Sequence, residues 1–213
     1  MKIIKSPILN RLLLLCFLFT LFVIINAFSY VNAITNSISN NLFRLHVIAN
    51  SNSTEDQELK YLVKSEILLY INEMVADLNN VEEVIAFTQN NIDDITLVAQ
   101  NAVYSNGYNY PVNAQIGNFR FPTKKYGDIT LPPGFYNALK IEIGDNAGRN
   151  WWCVMFPPLC FVNVSTGTVP DSSREIMRES LSTEEYSVIS DTSPEVRVKF
   201  RVVEVFQNIG ARI

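Results

Sequence analysis

The chain has 213 residues, with 17 basic and 21 acidic side chains, and its length suits one medium-sized domain. The net charge of −4 argues against a nucleic-acid partner, because proteins that bind nucleic acids present a basic surface. A single histidine and three cysteines argue against a zinc site, which takes four ligands from a short list of residue types.

The amino terminus has the layout of an export signal. Lys2, Lys5 and Arg11 precede an apolar run over residues 12–25, and no acidic residue occurs before Glu55. A basic segment followed by an apolar run of this length is typical of a secretory signal peptide. The sequence therefore predicts a domain outside the cytoplasm.

Small residues before the predicted domain favour signal cleavage after Ala33. The exported part, residues 34–213, is then a single domain with a net charge of about −7, because residues 1–33 carry three basic and no acidic side chains. The alternative is an uncleaved anchor, since the residues after the apolar run could lengthen it to a membrane span. In either case, contact with a membrane is predicted only through this segment.

Residues 42–49 alternate in the manner of a β-strand, with Arg44 and His46 on the face opposite the apolar residues. His46 is the only histidine, so any imidazole catalysis has to be placed here, with Ser51, Ser53 and Asp56 as helper residues. A catalytic triad is recognised by geometry rather than by closeness in sequence. The competing interpretation is a solvent-facing or hydrogen-bonded strand histidine that contacts the following loop, and we predict no catalytic residue.

Two helices follow this strand. Ser53 with an acidic residue three positions later resembles a capping box, and apolar residues then recur at steps of three and four over residues 59–78. A second helical run covers residues 84–102, with a break near residues 90–91, and ends before Asn106. We expect these helices to form an antiparallel pair on one face of a sheet.

Residues 112–121 read as a strand whose apolar parity changes at Gly117, which predicts a β-bulge there. The segment that follows is rich in turn residues, and its side chains Lys124, Lys125 and Tyr126 are expected to be exposed.

The last third of the chain is predicted to contain a hairpin of residues 139–143 and 149–156, a short helix from Asp171 to Leu181, and a strand over residues 196–202. Antiparallel strands with grouped helices indicate an α+β fold of two layers, with a mostly antiparallel sheet and the helical pair on one face. The sequence has no phosphate-binding glycine loop and no internal repeat, and we predict no cofactor.

Residues 148–161 hold both tryptophans and two of the three cysteines. Trp151 and Trp152 are adjacent in a predicted strand, so they point to opposite faces of the sheet. One interpretation is a strand buried on both sides; the other is a partner-binding surface formed by Arg149, Asn150 and the tryptophans. Trp and Arg are residues that concentrate binding energy in interfaces.

The pair Cys153 and Cys160 is even in number and lies in the exported part, which favours a disulfide. A chain reversal at Pro157 and Pro158 would place the two cysteines opposite each other. The alternative is a pair of buried free thiols that behave as small apolar residues.

Three segments resemble the stage II sporulation protein R family of endospore-forming bacteria. They are residues 43–51 with the nearby Glu55, Asp56, Gln57, Leu59 and Lys60; residues 119–127; and residues 148–161, in which the run from Asn150 through Trp151, Trp152 and Cys153 to Phe161 is the most specific.

The resemblance implies a signalling protein, not an enzyme, that is made in the forespore and exported into the space between the forespore and mother-cell membranes. Its implied partner is a membrane-embedded protease of the aspartic type, which removes the leader of a mother-cell sigma factor precursor. The alternatives from other classes are an exported hydrolase that uses His46 and a structural protein of the envelope.

Overall fold

A computed structural model describes residues 7–75, 78, 80–160 and 169–190 of the chain. The elements in chain order are α1 (Pro7–Asn40), β1 (Phe43–Ile48), α2 (Thr54–Val75), α3 (Val81–Asn90), α4 (Ile92–Ser105), β2 (Val112–Phe121), β3 (Lys124–Tyr126), β4 (Ile129–Leu131), β5 (Gly134–Ile143), β6 (Asn150–Phe156), α5 (Asp171–Ser180) and α6 (Thr183–Ser190). The strand predicted at residues 196–202 lies outside the described residues.

Among the described residues, four strands form the main sheet in the order β2, β5, β1, β6. β1 runs parallel to β5, whereas the pairs β1–β6 and β2–β5 are antiparallel. The predicted α+β class with a mostly antiparallel sheet is confirmed.

The predicted hairpin of β5 and β6 is wrong, because β1 lies between these two strands. All six residues of β1 are buried, which fits a central strand that is covered on both faces. The connection from β5 to β6 crosses the end of β1, where the backbone N–H groups of Ala147 and Gly148 donate to the carbonyls of Asn50 and Ala49 at 3.1 and 2.9 Å.

One face of the sheet is covered by α2, α3 and α4, as predicted for the helical pair. The Ser53 hydroxyl accepts the Asp56 N–H at 3.1 Å and caps the start of α2. The predicted break in the second helical run occurs at Asn91, between α3 and α4. The apolar stripes of these helices and the inward residues of the sheet form the larger core cluster.

The opposite face carries a second apolar cluster, to which the end of α1, the β3–β4 hairpin, α5 and α6 contribute. This second covering layer explains the parity change in β2. Ala114 and Ile116 contact the helical face, while Phe119 and Phe121 contact the other face. The register of β2 with β5 is continuous through Gly117, so the predicted bulge is wrong.

Helix α1 runs without interruption from the apolar segment into the domain. By length and composition it could cross a membrane, and its apolar side chains from Ile8 to Phe28 are exposed, as expected of a signal or an anchor. Its last turns differ, because Thr35, Ile38 and Ser39 are buried and Ile38 belongs to the second cluster. The residues after Ala33 are therefore part of the domain core.

Candidate functional site

The first residues of β6 present the two tryptophans to opposite faces of the sheet. Trp151 is paired with Val47 and packs against the helical cluster, whereas Trp152 is paired with His46 and packs against the second cluster. Both indoles are half-buried. Each face thus has its own tryptophan, and the two have different neighbours.

Trp151 lies in a cluster of aromatic rings and cations beside α2. The ring of Tyr61 meets it edge-on, with centroids 5.3 Å apart, and the Lys64 Nζ lies 4.9 Å from the Trp151 ring centroid. The Lys60 Nζ lies 4.9 Å from the Tyr61 ring centroid. With the exposed Arg149, these residues form what we call the Trp151 surface: Lys60, Tyr61, Lys64, Arg149 and Trp151.

Among the described residues, no carboxylate lies within 4.0 Å of the cations of the Trp151 surface. In the part of the chain that the structure describes, the ion pairs within 4.0 Å join Lys140 to Glu142 and Arg174 to two aspartates elsewhere. The Lys60 Nζ instead donates to the Arg149 carbonyl at 3.0 Å. Burial lowers the pKa of Lys60 and of Lys64, and the charge of Arg149 lowers that of Lys60 further. The surface therefore carries positive charge that no carboxylate of the described residues pairs with directly.

Trp152 serves a different role on the opposite face. Its ring stacks on the His46 imidazole at 3.8 Å between centroids and meets Phe121 edge-on at 4.7 Å. The Asn150 Oδ1 lies 2.7 Å from the His46 Nε2, which assigns the proton to Nε2 when the amide oxygen is the acceptor. These contacts fix the start of β6 to β1 through side chains as well as through the backbone.

His46 is only 6% exposed, so the strand histidine is not solvent-facing. Burial lowers its pKa to about 4, and the hydrogen bond to Asn150 opposes this shift. The imidazole is therefore neutral near pH 7. The sequence predicts a contact of His46 with the loop after β1. Its hydrogen bond instead goes to Asn150 at the start of β6.

The residues expected to assist a catalytic His46 are used elsewhere. Ser53 caps α2, Ser51 accepts the Ser53 N–H at 3.1 Å, and the Asp56 carboxylate accepts from Asn50 at 2.8 Å. Their described contacts do not bring them to the imidazole. Within the described ranges, no group of three or more His, Cys, Asp or Glu residues is arranged to hold a metal ion.

Arg44 is a buried cation that the sequence pattern did not single out. It is 0% exposed, with its guanidinium carbon 4.0 and 4.7 Å from the ring centroids of Phe121 and Tyr136. Its Nη2 donates to the Tyr126 hydroxyl at 2.7 Å, and that hydroxyl donates to the Trp152 carbonyl at 3.0 Å. The expected exposure of Tyr126 is therefore wrong, because the β3–β4 hairpin folds it over Arg44. The signal available in the sequence was the shared parity of Arg44 and His46 in β1.

The two cysteines expected to pair are joined in the structure. Cys153 and Cys160 form a disulfide with their Cα atoms 5.2 Å apart, inside the range that a bridge requires. The reversal at Pro157 and Pro158 is closed by a hydrogen bond from the Leu159 N–H to the Val154 carbonyl at 3.0 Å. The bridge links the middle of β6 to the segment that follows it.

Comparison with known proteins places these features within one family. A model of the family described as stage II sporulation protein R matches residues 39–166. The stage II sporulation protein R of Bacillus subtilis (strain 168) is 35% identical over 130 residues, which cover 61% of this chain and 58% of that relative. The match thus spans less than two thirds of the relative. No solved structure matches.

Proposed function

Because the chain belongs to the stage II sporulation protein R family, we propose that it is an exported signal of sporulation that activates a membrane-embedded protease of the aspartic type. Activation would lead to processing of a mother-cell sigma factor precursor. The family membership gives the role in sporulation; the protease, the precursor and the space between the two membranes as the place of action belong to the proposal.

The observation that carries the proposal is the Trp151 surface. It combines a half-buried Trp, an exposed Tyr and an exposed Arg within the region matched by the family model. These residue types dominate the binding energy of protein interfaces when a partner covers them. A protein that acts by binding needs such a surface, and Arg149 and Trp151 are the residues we assign to contact.

The other two residues of the expected partner-binding set take supporting roles in this proposal. Asn150 holds His46, and Trp152 stacks on the same imidazole. Both therefore fix the position of the strand that carries Trp151, rather than contact the partner themselves.

The position of α1 supports a surface that faces away from the membrane. β1 begins at Phe43, three residues after α1 ends at Asn40, and it ends at Ile48, which pairs with Asn150. Tracing α1 backwards, Thr35 lies against Gly134 at the start of β5, which runs parallel to β1. The apolar segment therefore leaves from the end of the sheet opposite the Trp151 surface, and the five steps of β1 alone separate them by roughly 16 Å.

The test is co-expression of the full chain with the candidate protease and the sigma factor precursor in a host that does not sporulate, scored by immunoblot of precursor cleavage. We expect cleavage to depend on the wild-type chain and to be lost in Trp151→Ala. Phe135→Ala is the matched control, because Phe135 is an aromatic residue of the same sheet that is 58% exposed. Phe135→Ala should cleave as the wild type does.

Absence of cleavage with the wild-type chain, with all three proteins present at the membrane, would refute protease activation and favour a structural role in the envelope. Full cleavage with Trp151→Ala would instead refute the assignment of the surface.

A further inference from the structure

We propose that the Trp151 surface binds an acidic segment of its protein partner, with carboxylates of that segment paired to Lys64 and Arg149 while an apolar side chain packs on Tyr61 and Trp151. This inference rests on the proposed function and adds the chemistry of the partner's contacting segment. An extracytoplasmic loop or terminus of a membrane protein, rich in Asp or Glu, is the kind of segment that fits.

Charge is the first argument. The chain is acidic overall, with 21 acidic and 17 basic residues, yet Lys60, Lys64 and Arg149 converge on one small surface. None of the three has a carboxylate within 4.0 Å among the described residues. Like charges held together without counter-charges repel each other, and the repulsion is relieved when an anion binds between them.

Rigidity is the second argument. The Lys60 Nζ is fixed by Gln57 Oε1 at 2.7 Å and by the Arg149 carbonyl at 3.0 Å, and the residue is 2% exposed. Lys60, the buried member of the Trp151 surface, therefore acts as a fixed positive charge beneath its exposed side chains. Lys64 lies over the ring of Trp151. Side chains that are already ordered lose little conformational entropy on binding, which favours a specific contact over a diffuse one.

Geometry separates a protein partner from a lipid surface. A cluster of lysines and aromatic rings would also suit anionic headgroups. The membrane segment, however, leaves from the other end of the sheet, and the buried turns of α1 lie on the opposite face from Trp151. A chain held by α1 therefore turns the Trp151 surface away from the bilayer in which it is anchored, towards proteins that project from elsewhere.

The experiment uses charge-reversal variants of the full chain in the co-expression assay, Lys64→Glu and Arg149→Glu, beside the charge-preserving Lys64→Arg and Arg149→Lys. Lys125→Glu is the matched control, because Lys125 is an exposed lysine on the β3–β4 hairpin. We expect each reversal to reduce precursor cleavage about tenfold, the effect of losing one well-placed interfacial charge pair. Lys125→Glu should keep cleavage within about twofold of the wild type, and each charge-preserving variant should retain more cleavage than the reversal at the same position.

A second readout is co-purification of the chain with the candidate protease from detergent, at low and high salt. An acidic protein segment predicts that both reversals weaken co-purification and that salt weakens the wild-type complex. A drop in cleavage in cells with unchanged co-purification would overturn the proposal in favour of lipid headgroups. If the wild-type chain supports cleavage and the reversals do too, the acidic partner is refuted while protease activation stands.

Discussion

Replacing the two tryptophans one at a time should separate a residue that supports the fold from a residue that contacts the partner. Trp152→Ala removes the ring that stacks on His46, and it opens a path for water to the imidazole. Trp151→Ala removes a ring on the other face of the sheet and leaves the His46 surroundings intact. The pKa of His46 is therefore the property that should tell the two variants apart.

The magnitude follows from burial and ring contacts. Truncating a fully buried Trp costs about 3–5 kcal/mol, and a half-buried one about half of that. Its aromatic contacts with His46 and Phe121 add about 0.5–1.5 kcal/mol. We expect Trp152→Ala to lower the free energy of unfolding by about 2–4 kcal/mol and to move the His46 pKa from about 4 towards its usual value near 6.5.

Trp151→Ala should cost somewhat less stability, about 1.5–3 kcal/mol, because it contacts one aromatic ring and an exposed part of α2. It should leave the His46 pKa near 4 while abolishing precursor cleavage. Trp152→Ala is thus expected to have the larger effect on the His46 pKa, and Trp151→Ala the larger effect on precursor cleavage.

The assay is the titration of the histidine Cε1 resonance in the full chain, labelled on histidine and held in detergent micelles. The chain has one histidine, so its signal needs no assignment. The reasoning is refuted if Trp152→Ala leaves the His46 pKa near 4, or if Trp151→Ala raises it by as much. Denaturant unfolding of the same samples supplies the stability values.

Three further predictions can be checked on the same protein. Because burial depresses the pKa of folded His46, its contribution to stability is present above the unfolded value near 6.5 and is lost as the pH falls towards 4. The free energy of unfolding should therefore fall by roughly 3 kcal/mol over this range, a loss that His46→Phe lacks. Lys140, Glu142 and Arg44 also act on this site but do not reverse the sign. Reduction of the Cys153–Cys160 bridge should lower the free energy of unfolding by about 2.5 kcal/mol, as expected for so short a loop, and Cys16→Ala should leave this difference unchanged. Gly148→Ala should destabilise the fold by several kcal/mol and impair cleavage, because a Cβ there would collide with the Ser51 carbonyl. Gly107 has open space around the position of a Cβ but a φ of 84°, so Gly107→Ala should cost about 1 kcal/mol. Thermal unfolding measures both changes in stability.

The helical half of the fold was accessible from the sequence because its signals are local. The Ser53 cap and the break at Asn91 depend on residues within one or two turns of each other, and both occur where predicted. The strand order was not accessible in this way, because the parallel pairing of β1 with β5 joins residues about 94 positions apart, as in the pair Arg44 and Ala138. Nothing near either strand encodes that pairing.

The second covering layer caused the remaining errors. A parity change at Gly117 has two physical causes, a bulge or a strand whose two halves are buried on different faces, and the sequence does not distinguish them. The same layer buries Arg44, His46 and Tyr126, which a two-layer domain would have left in solvent. Polar residues on the outer parity of a strand indicate exposure only when nothing packs on that face.

The candidate site was predictable at the level of parity. Adjacent strand residues must face opposite sides, so the division between Trp151 and Trp152 follows from the sequence alone. The identity of the neighbours did not follow, since Tyr61 and Lys64 lie on a helix about 90 residues earlier in the chain. Only the packing of α2 against the end of β6 brings them to the indole.

This arrangement changes how variants of His46 should be interpreted. His46 holds Asn150 and supports Trp152, and through them it fixes the strand end that carries Arg149 and Trp151. A His46→Ala chain that folds would therefore still present a less ordered partner surface, and ordering it on binding would weaken activation. Loss of activity in His46→Ala is consequently expected of a binding protein as well as of a hydrolase. The discriminating comparison is His46→Asn or His46→Gln, because an amide can keep a hydrogen bond to Asn150 but cannot act as a general base: retained activation in either variant is compatible with binding and incompatible with catalysis by imidazole.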